Sequence, residues 1–306
     1  MTHIIRVFIV AVSVAVTGNA AFSAPPKVTA DVLPIQSLVA QVMDGIGTPS
    51  LVVRAGASPH LLSLRPSEAR ALANAEVVFW AGDTLSPWLS DPLDTIARNA
   101  KKVNLLEVSG TRLLNPRQVS NAITALETHS HSDDAGGHDP HAWLDPKNAI
   151  LWLGAIAAEL SLMDPANEDV YRANAKAGQD RLLGFVGSTP SDSGAGFAVY
   201  HDAYQYFEVA NGIMAPVIIS ASDASTPGAA HIQKVQRKLQ DGRVTCLFAE
   251  PSYSRALVAR LIEGTDIRVV ELDTLGSGFE PGPGLYPKIL EQMAQAFEDC
   301  DLTVGK

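Results

Sequence analysis

Residues 27–82 read KVTADVLPIQSLVAQVMDGIGTPSLVVRAGASPHLLSLRPSEARALANAEVVFWAG. Three short runs rich in β-branched residues, KVTADVL, TPSLVVRAG and EVVFWAG, have the character of strands. Between them PIQSLVAQVMDG and RPSEARALANA repeat their apolar residues at helical spacing. SPWLSDPLDTIARNA and KKVNLLEVS continue the alternation as a helix and a strand. A βαβα rhythm of this kind implies a parallel sheet covered by helices on both faces.

A polar stretch, THSHSDDAGGHDPHAWLD at 128–145, interrupts the rhythm. DPKNAILWLGAIAAELSLMD then reads as a helix with Pro146 in its first turn. After Asp164-Pro165 a long polar-faced helix is expected around 165–186, ending in the Ser/Pro/Gly run STPSDSGAG. A second βα series follows: FAVYHDAYQYFEVANG, APVIISAS, HIQKVQRKLQDG, VTCLFAEPSYSRALVARLIEG, IRVVELDTLG and a last helix, YPKILEQMAQAFEDC. The expected fold is α/β, with two Rossmann-like lobes, 24–163 and 189–306, joined by one long backbone helix within 164–188.

The beginning of the chain stands apart. MTHIIR carries one arginine, VFIVAVSVAVTG is apolar but short for a membrane span, and NAAFSAPP offers small residues for cleavage. Residues 1–23 are expected to be a signal peptide, cut after Ser23 or after Ala20. No cysteine lies near the cut to take a lipid, so the mature protein is expected to be exported and free. Its loss removes Arg6 alone among charged residues and takes the formal net charge from −10 to −11. Such a chain repels nucleic acid and anionic membranes. The two cysteines, Cys246 on the CLFAE strand and Cys300 at the end of the last helix, suggest one disulfide in an exported protein. Two buried free thiols are the alternative.

In open α/β sheets, ligands bind beyond the carboxyl ends of strands. His60 follows SLVVRAG, His201 directly follows FAVY, and Asp273 follows RVVEL, while His141 precedes a helix in HDPHAWLDP. Each alone has an ordinary use as a loop, cap or turn residue. Together, three imidazoles and a carboxylate make a donor set suited to Zn²⁺. Four protein ligands leave no position for an activated water, and no H-E-x-x-H or G-x-S-x-G motif is present, so capture is expected rather than hydrolysis.

The segments GASPHLLSLRPSEARAL, HDPHAWLDPKNA, FAVYHDAYQYFEVANG, LFAEPSYS and ELDTLG resemble the zinc-specific solute-binding proteins of bacterial ABC importers, the ZnuA type of the cluster A-I (TroA-like) family. The resemblance spans about residues 30–300. It implies two α/β lobes bridged by a rigid helix, with metal held in the cleft by His60, His141, His201 and Asp273. Some zinc members hold that aspartate away from the metal, with water or another carboxylate completing the shell. Manganese-binding relatives carry a glutamate where His201 stands, and extracellular relatives serve as adhesins or metal stores. Glu250 is placed to support the site or to serve structure alone. Cys246 and Cys300 match a disulfide of zinc members, and the leader without a lipidation cysteine is similar to that of periplasmic ones. His129, His131 and His138, with Asp133 and Asp134, fall in an acidic loop (128–139) of the kind that binds metal weakly. The partners implied are a membrane permease and, at the loop, a periplasmic zinc metallochaperone. The chain is expected to act as a monomer.

Overall fold

A computed structural model describes residues 24–60, 63–117, 137–187, 196–220, 228–241 and 243–301. The expected leader and four loop residues, His129, His131, Asp133 and Asp134, lie outside the described residues.

The first half of the chain builds β1 (Val28–Ala30), α1 (Leu33–Val42), β2 (Ser50–Leu51), α2 (Pro66–Asn74), β3 (Val77–Trp80), α3 (Ser90–Thr95) and β4 (Lys101–Asn104). All strand pairs are parallel, in the order β2-β1-β3-β4. β2 is shorter than the apolar run LVV suggests. Beyond Leu51 the chain bends, yet Val52 and Val53 still donate to the carbonyls of Ala30 and Asp31 at 2.9 and 2.7 Å. β4 stops at Asn104 because its side chain accepts from the Leu106 amide and turns the chain into a short 3-10 helix, Leu105–Glu107. Pro66 opens α2, and the Glu68 carboxylate accepts from the Arg65 amide at 2.7 Å, satisfying a free donor there.

Next come α4 (Pro146–Met163) and α5 (Glu168–Leu183). They are joined by a tight turn in which Asp164 accepts from Asn167 and from the Tyr171 hydroxyl. α5 lies within the segment expected to link the lobes. It rests on α4 and α1 so closely that a β-carbon on Gly178 would stand 2.9 Å from Leu153 and 3.0 Å from Gln41.

The second half repeats the first: β5 (Gly196–His201), α6 (Gln205–Asn211), β6 (Val217–Ser220), α7 (Ala229–Gln240), β7 (Val244–Ala249), α8 (Arg255–Leu261), β8 (Arg268–Glu271) and α9 (Leu285–Asp301). Its order, β6-β5-β7-β8, is that of the first sheet and is again parallel throughout. Gly196 opens β5 where a β-carbon would meet the Arg243 carbonyl at 2.5 Å, so only glycine fits.

One hydrophobic core runs through both halves. All ten residues of α1 are buried, and its core cluster reaches from Val28 to Cys300, including Trp143, Trp152, Tyr171, Tyr206 and Tyr286. Polar contacts cross the same seam. Ser37 on α1 donates to the Gly282 carbonyl at 2.6 Å and accepts from the Tyr286 amide at 2.9 Å. Arg117 is ion-paired with Asp202 and Glu208, at 2.7 Å each. Among the described residues, no helix is long and apolar enough to cross a membrane.

Cys246 on β7 and Cys300 on α9 form the disulfide, with Cα atoms 5.9 Å apart and a sequence separation of 54. Phe197, Phe248 and Phe297 cluster beside it, with ring centroids 4.7–5.5 Å apart. Replacing both cysteines by alanine is expected to lower stability by about 4 kcal/mol in the chain-entropy account. An unchanged urea midpoint would show that the bond constrains nothing the fold does not already hold.

Asp31, wholly buried at the end of β1, accepts from the amides of Val32 and Ala81 at 2.7 and 2.8 Å. Burial outweighs these hydrogen bonds and pushes its carboxyl up to about 7, from 3.8. A raised folded-state value means stability present in full below about pH 4 and lost as pH rises through about 7. Urea midpoints measured across that window should decline less steeply for Asp31→Asn than for the parent chain.

Candidate metal centre

The site assembles where the two sheets face each other with their carboxyl ends, as open α/β sheets favour. His201 is the last residue of β5. His60 lies in the loop after β2, and its neighbour Pro59 is pinned there: the Pro59 carbonyl accepts from the Trp88 indole at 2.6 Å and the Ser86 hydroxyl at 3.1 Å. His141 stands immediately before a short 3-10 helix, Ala142–Leu144, that leads into α4.

These three imidazoles converge. One candidate ligand nitrogen from each lies within 4.8 Å of the other two, with His141 and His201 buried and His60 partly so. The ring centroids are 5.0–5.7 Å apart and the planes are steeply inclined, at 67–83°, so the rings approach a common point from three directions. Zn–N bonds of about 2.0–2.1 Å need only small side-chain adjustments from this arrangement.

Two of the imidazoles are backed by carboxylates. Asp139 Oδ1 sits 2.8 Å from His141 Nδ1 and also accepts the His141 amide at 3.0 Å. A carboxylate on Nδ1 keeps the proton there and turns Nε2, with its lone pair, toward the cluster. Glu250 Oε2 lies 3.5 Å from His201 Nδ1. Burial acts to raise the Glu250 carboxyl, but hydrogen bonds from His201 and Thr274 and the fields of His201 and His141 outweigh it and hold the group below its ordinary range. Asp202, next to His201, is raised by burial despite the Arg117 guanidinium.

The same polar chain crosses the seam between lobes. The Trp143 indole donates to the Thr274 carbonyl at 3.0 Å, and the Thr274 hydroxyl donates to Glu250 Oε1 at 3.0 Å. Tyr286 donates to the Trp143 carbonyl at 2.5 Å. Tyr206 ties the two stems of the polar loop together, accepting from the Leu114 amide and donating to the Asp139 carbonyl.

Asp273 lines the same cavity of about 160 Å³ as the three histidines but is not one of their group. Its Oδ1 accepts from the amides of Leu275 and Gly276 at 2.8 and 3.0 Å, and its Oδ2 accepts from the Ser277 amide at 2.6 Å and from the Ser277 hydroxyl. The structure thus uses the carboxylate to shape its own loop. His138 is exposed and stands outside the cluster. Sequence reasoning overlooked Asp139 and Trp143. The signal for Asp139 was its place two residues before His141, where its side chain reaches both the amide and the ring.

Comparison with known proteins gives the family. Residues 28–300 match the family described as zinc-uptake complex component A, periplasmic. The high-affinity zinc uptake system protein ZnuA of Paracoccus denitrificans (strain Pd 1222) is 35% identical over 299 residues, covering 90% of this chain and 91% of the relative. That of Brucella abortus (strain 2308) is 33% identical over 307 residues, covering 89% and 91%. A crystal structure of ZnuA aligns with a TM-score of 0.75 at 20% identity, over 90% of this chain and 99% of that one. With the match running from β1 to α9, the chain belongs to the ZnuA family of periplasmic zinc-uptake components.

Proposed function

We propose that this protein captures Zn²⁺ in the periplasm and delivers it to the membrane permease of an ABC importer, acting by binding rather than turnover. The observation that supports this best is the convergence of His60, His141 and His201 from three separate segments onto one point. Three imidazoles are borderline donors that favour Zn²⁺, whereas Mn²⁺ is better served by carboxylate and water oxygens. The acids Asp139, Asp202, Glu208, Glu250 and Asp273 surround the centre with Arg117 as their only cationic partner among the contacts described, a field that attracts a dication.

On this reading residues 1–23 direct export and are removed without lipidation, and the chain works as a monomer of two lobes about the 164–188 segment. The loop with His129, His131, His138, Asp133 and Asp134 is a weaker metal-collecting element and the docking place for a metallochaperone.

Calorimetric titration of zinc tests the site. His60→Ala, His141→Ala and His201→Ala should each weaken binding by more than the roughly 10–100-fold typical of losing a supporting partner, and Asp139→Ala should fall within that range. Because imidazoles bind metal only when neutral, zinc affinity should drop as pH falls below about 6.5. Three histidine variants that fold and still bind zinc like the parent would dismiss the assignment.

A further inference from the structure

Resting on the zinc-binding reading above, we propose that Arg117 is a positioning residue for the metal centre: the fork of its guanidinium fixes where His201 stands relative to His141. It touches neither imidazole and acts through Asp202.

A guanidinium is planar, with its N–H donors in fixed directions. All three nitrogens of Arg117 are engaged. Nε and Nη2 meet the two oxygens of Asp202 at 3.2 and 2.7 Å, and Nη1 donates to Glu208 Oε2 at 2.7 Å. The Asp202 pair is bidentate, which sets orientation as well as distance. The side chains of Arg117, Asp202 and Glu208 are only 17, 7 and 2% exposed, so little water competes for these bonds.

Asp202 directly follows His201. Its amide donates to the Ser220 carbonyl at the end of β6 at 3.3 Å, and its side chain is held by Arg117. The backbone from which the His201 ring springs is therefore gripped from two directions. Glu208 lies on α6, which begins shortly after His201, so the same guanidinium also holds the helix that β5 leads into.

The other end of the link is the frame of His141. The amide and carbonyl of Arg112 are bound by the Asn148 side chain at 2.8 and 3.0 Å, and Asn148 also donates to the Ala142 carbonyl at 3.0 Å. The Leu114 carbonyl accepts from the Asp139 amide at 2.8 Å. The segment that bears Arg117 thus shares hydrogen bonds with residues on both sides of His141. Glu250 stands against His201 Nδ1 and bears on the ring, whereas Arg117 bears on the main chain beneath it. Ligand sets of this kind need their geometry held to within about 0.5 Å.

Lysine keeps the charge but is a point cation on a flexible stem and cannot form the fork. Zinc titration of Arg117→Lys is therefore expected to show affinity lowered roughly 10–100-fold. Loaded with Co²⁺, the same variant should show a displaced visible band, because the donors no longer converge as before. Val235→Ala, in the outer core of the second lobe, serves as the control for plain loss of stability. It should lower the urea midpoint and keep the parent's zinc affinity and cobalt band. Parent-like affinity and band in Arg117→Lys would reduce Arg117 to a counter-charge for buried acids and overturn the proposal. An equal loss of affinity in Val235→Ala would overturn it too. Should Arg117→Lys not fold, the same titration on Arg117→Lys with Glu208→Gln, where one ammonium meets one carboxylate, decides by the same two outcomes. Zinc binding by the parent chain that His201→Ala leaves untouched would instead overturn the zinc-binding reading itself.

Discussion

The site depends on the seam between the two lobes, and the seam turns on Trp143. The residue follows His141 by two positions, is fully buried, and reaches across to the Thr274 carbonyl while Tyr286 reaches back to its own. Thr274 then holds Glu250, which stands behind His201. His141, ahead of α4, and His201, at the end of β5, are thereby set relative to one another by a short run of hydrogen bonds through buried groups. Such bonds are strong in a low-dielectric surrounding and leave unpaired polar atoms if broken. Ligands from separate lobes can keep a fixed spacing only if the lobes themselves are held in register.

That register is also hydrophobic in origin. Two α/β units with separate cores would be free to move against each other. Here α1 is buried along its whole length, and one apolar cluster passes from the first sheet through α1, α4 and α5 to α9 and the second sheet. The disulfide fastens α9, the last contributor, to β7. Smaller clusters on the outer faces complete each sheet separately. The interior therefore behaves as one body beneath a cleft whose walls are loops.

The chemistry of those loops follows from how their acids are used. Carboxylates at 139 and 250 stand against the Nδ1 atoms of His141 and His201, a placement that leaves the opposite ring nitrogens to face the cluster. Asp202 and Glu208 are met by Arg117, which joins the stem of the polar loop to β5 and α6. Asp273 folds its own turn. On the proposed reading a cation would meet imidazole nitrogens inside a negative surrounding, a combination suited to drawing in a dication without enclosing it in a rigid anionic cage.

The alternation of β-branched runs with helical patterns was enough to determine two parallel sheets, because the periods of 2 and 3.6 are written residue by residue. It also placed His60, His201 and Asp273 after strands, while the sparse, even cysteine count suggested the one disulfide that Cys246 and Cys300 form. It erred locally over lengths: a bend and the Asn104 side chain end β2 and β4 early, and β1 and α3 are shorter than the runs KVTADVL and SPWLSDPLDTIARNA. The tertiary structure alone decided which donors meet. His60, His141 and His201 are far apart in sequence, and their spacing is a product of packing across the seam. The fate of Asp273 was equally hidden: its residue type suits metal and turn alike, and only the amides of residues 275–277, folded back toward it, show where its lone pairs go.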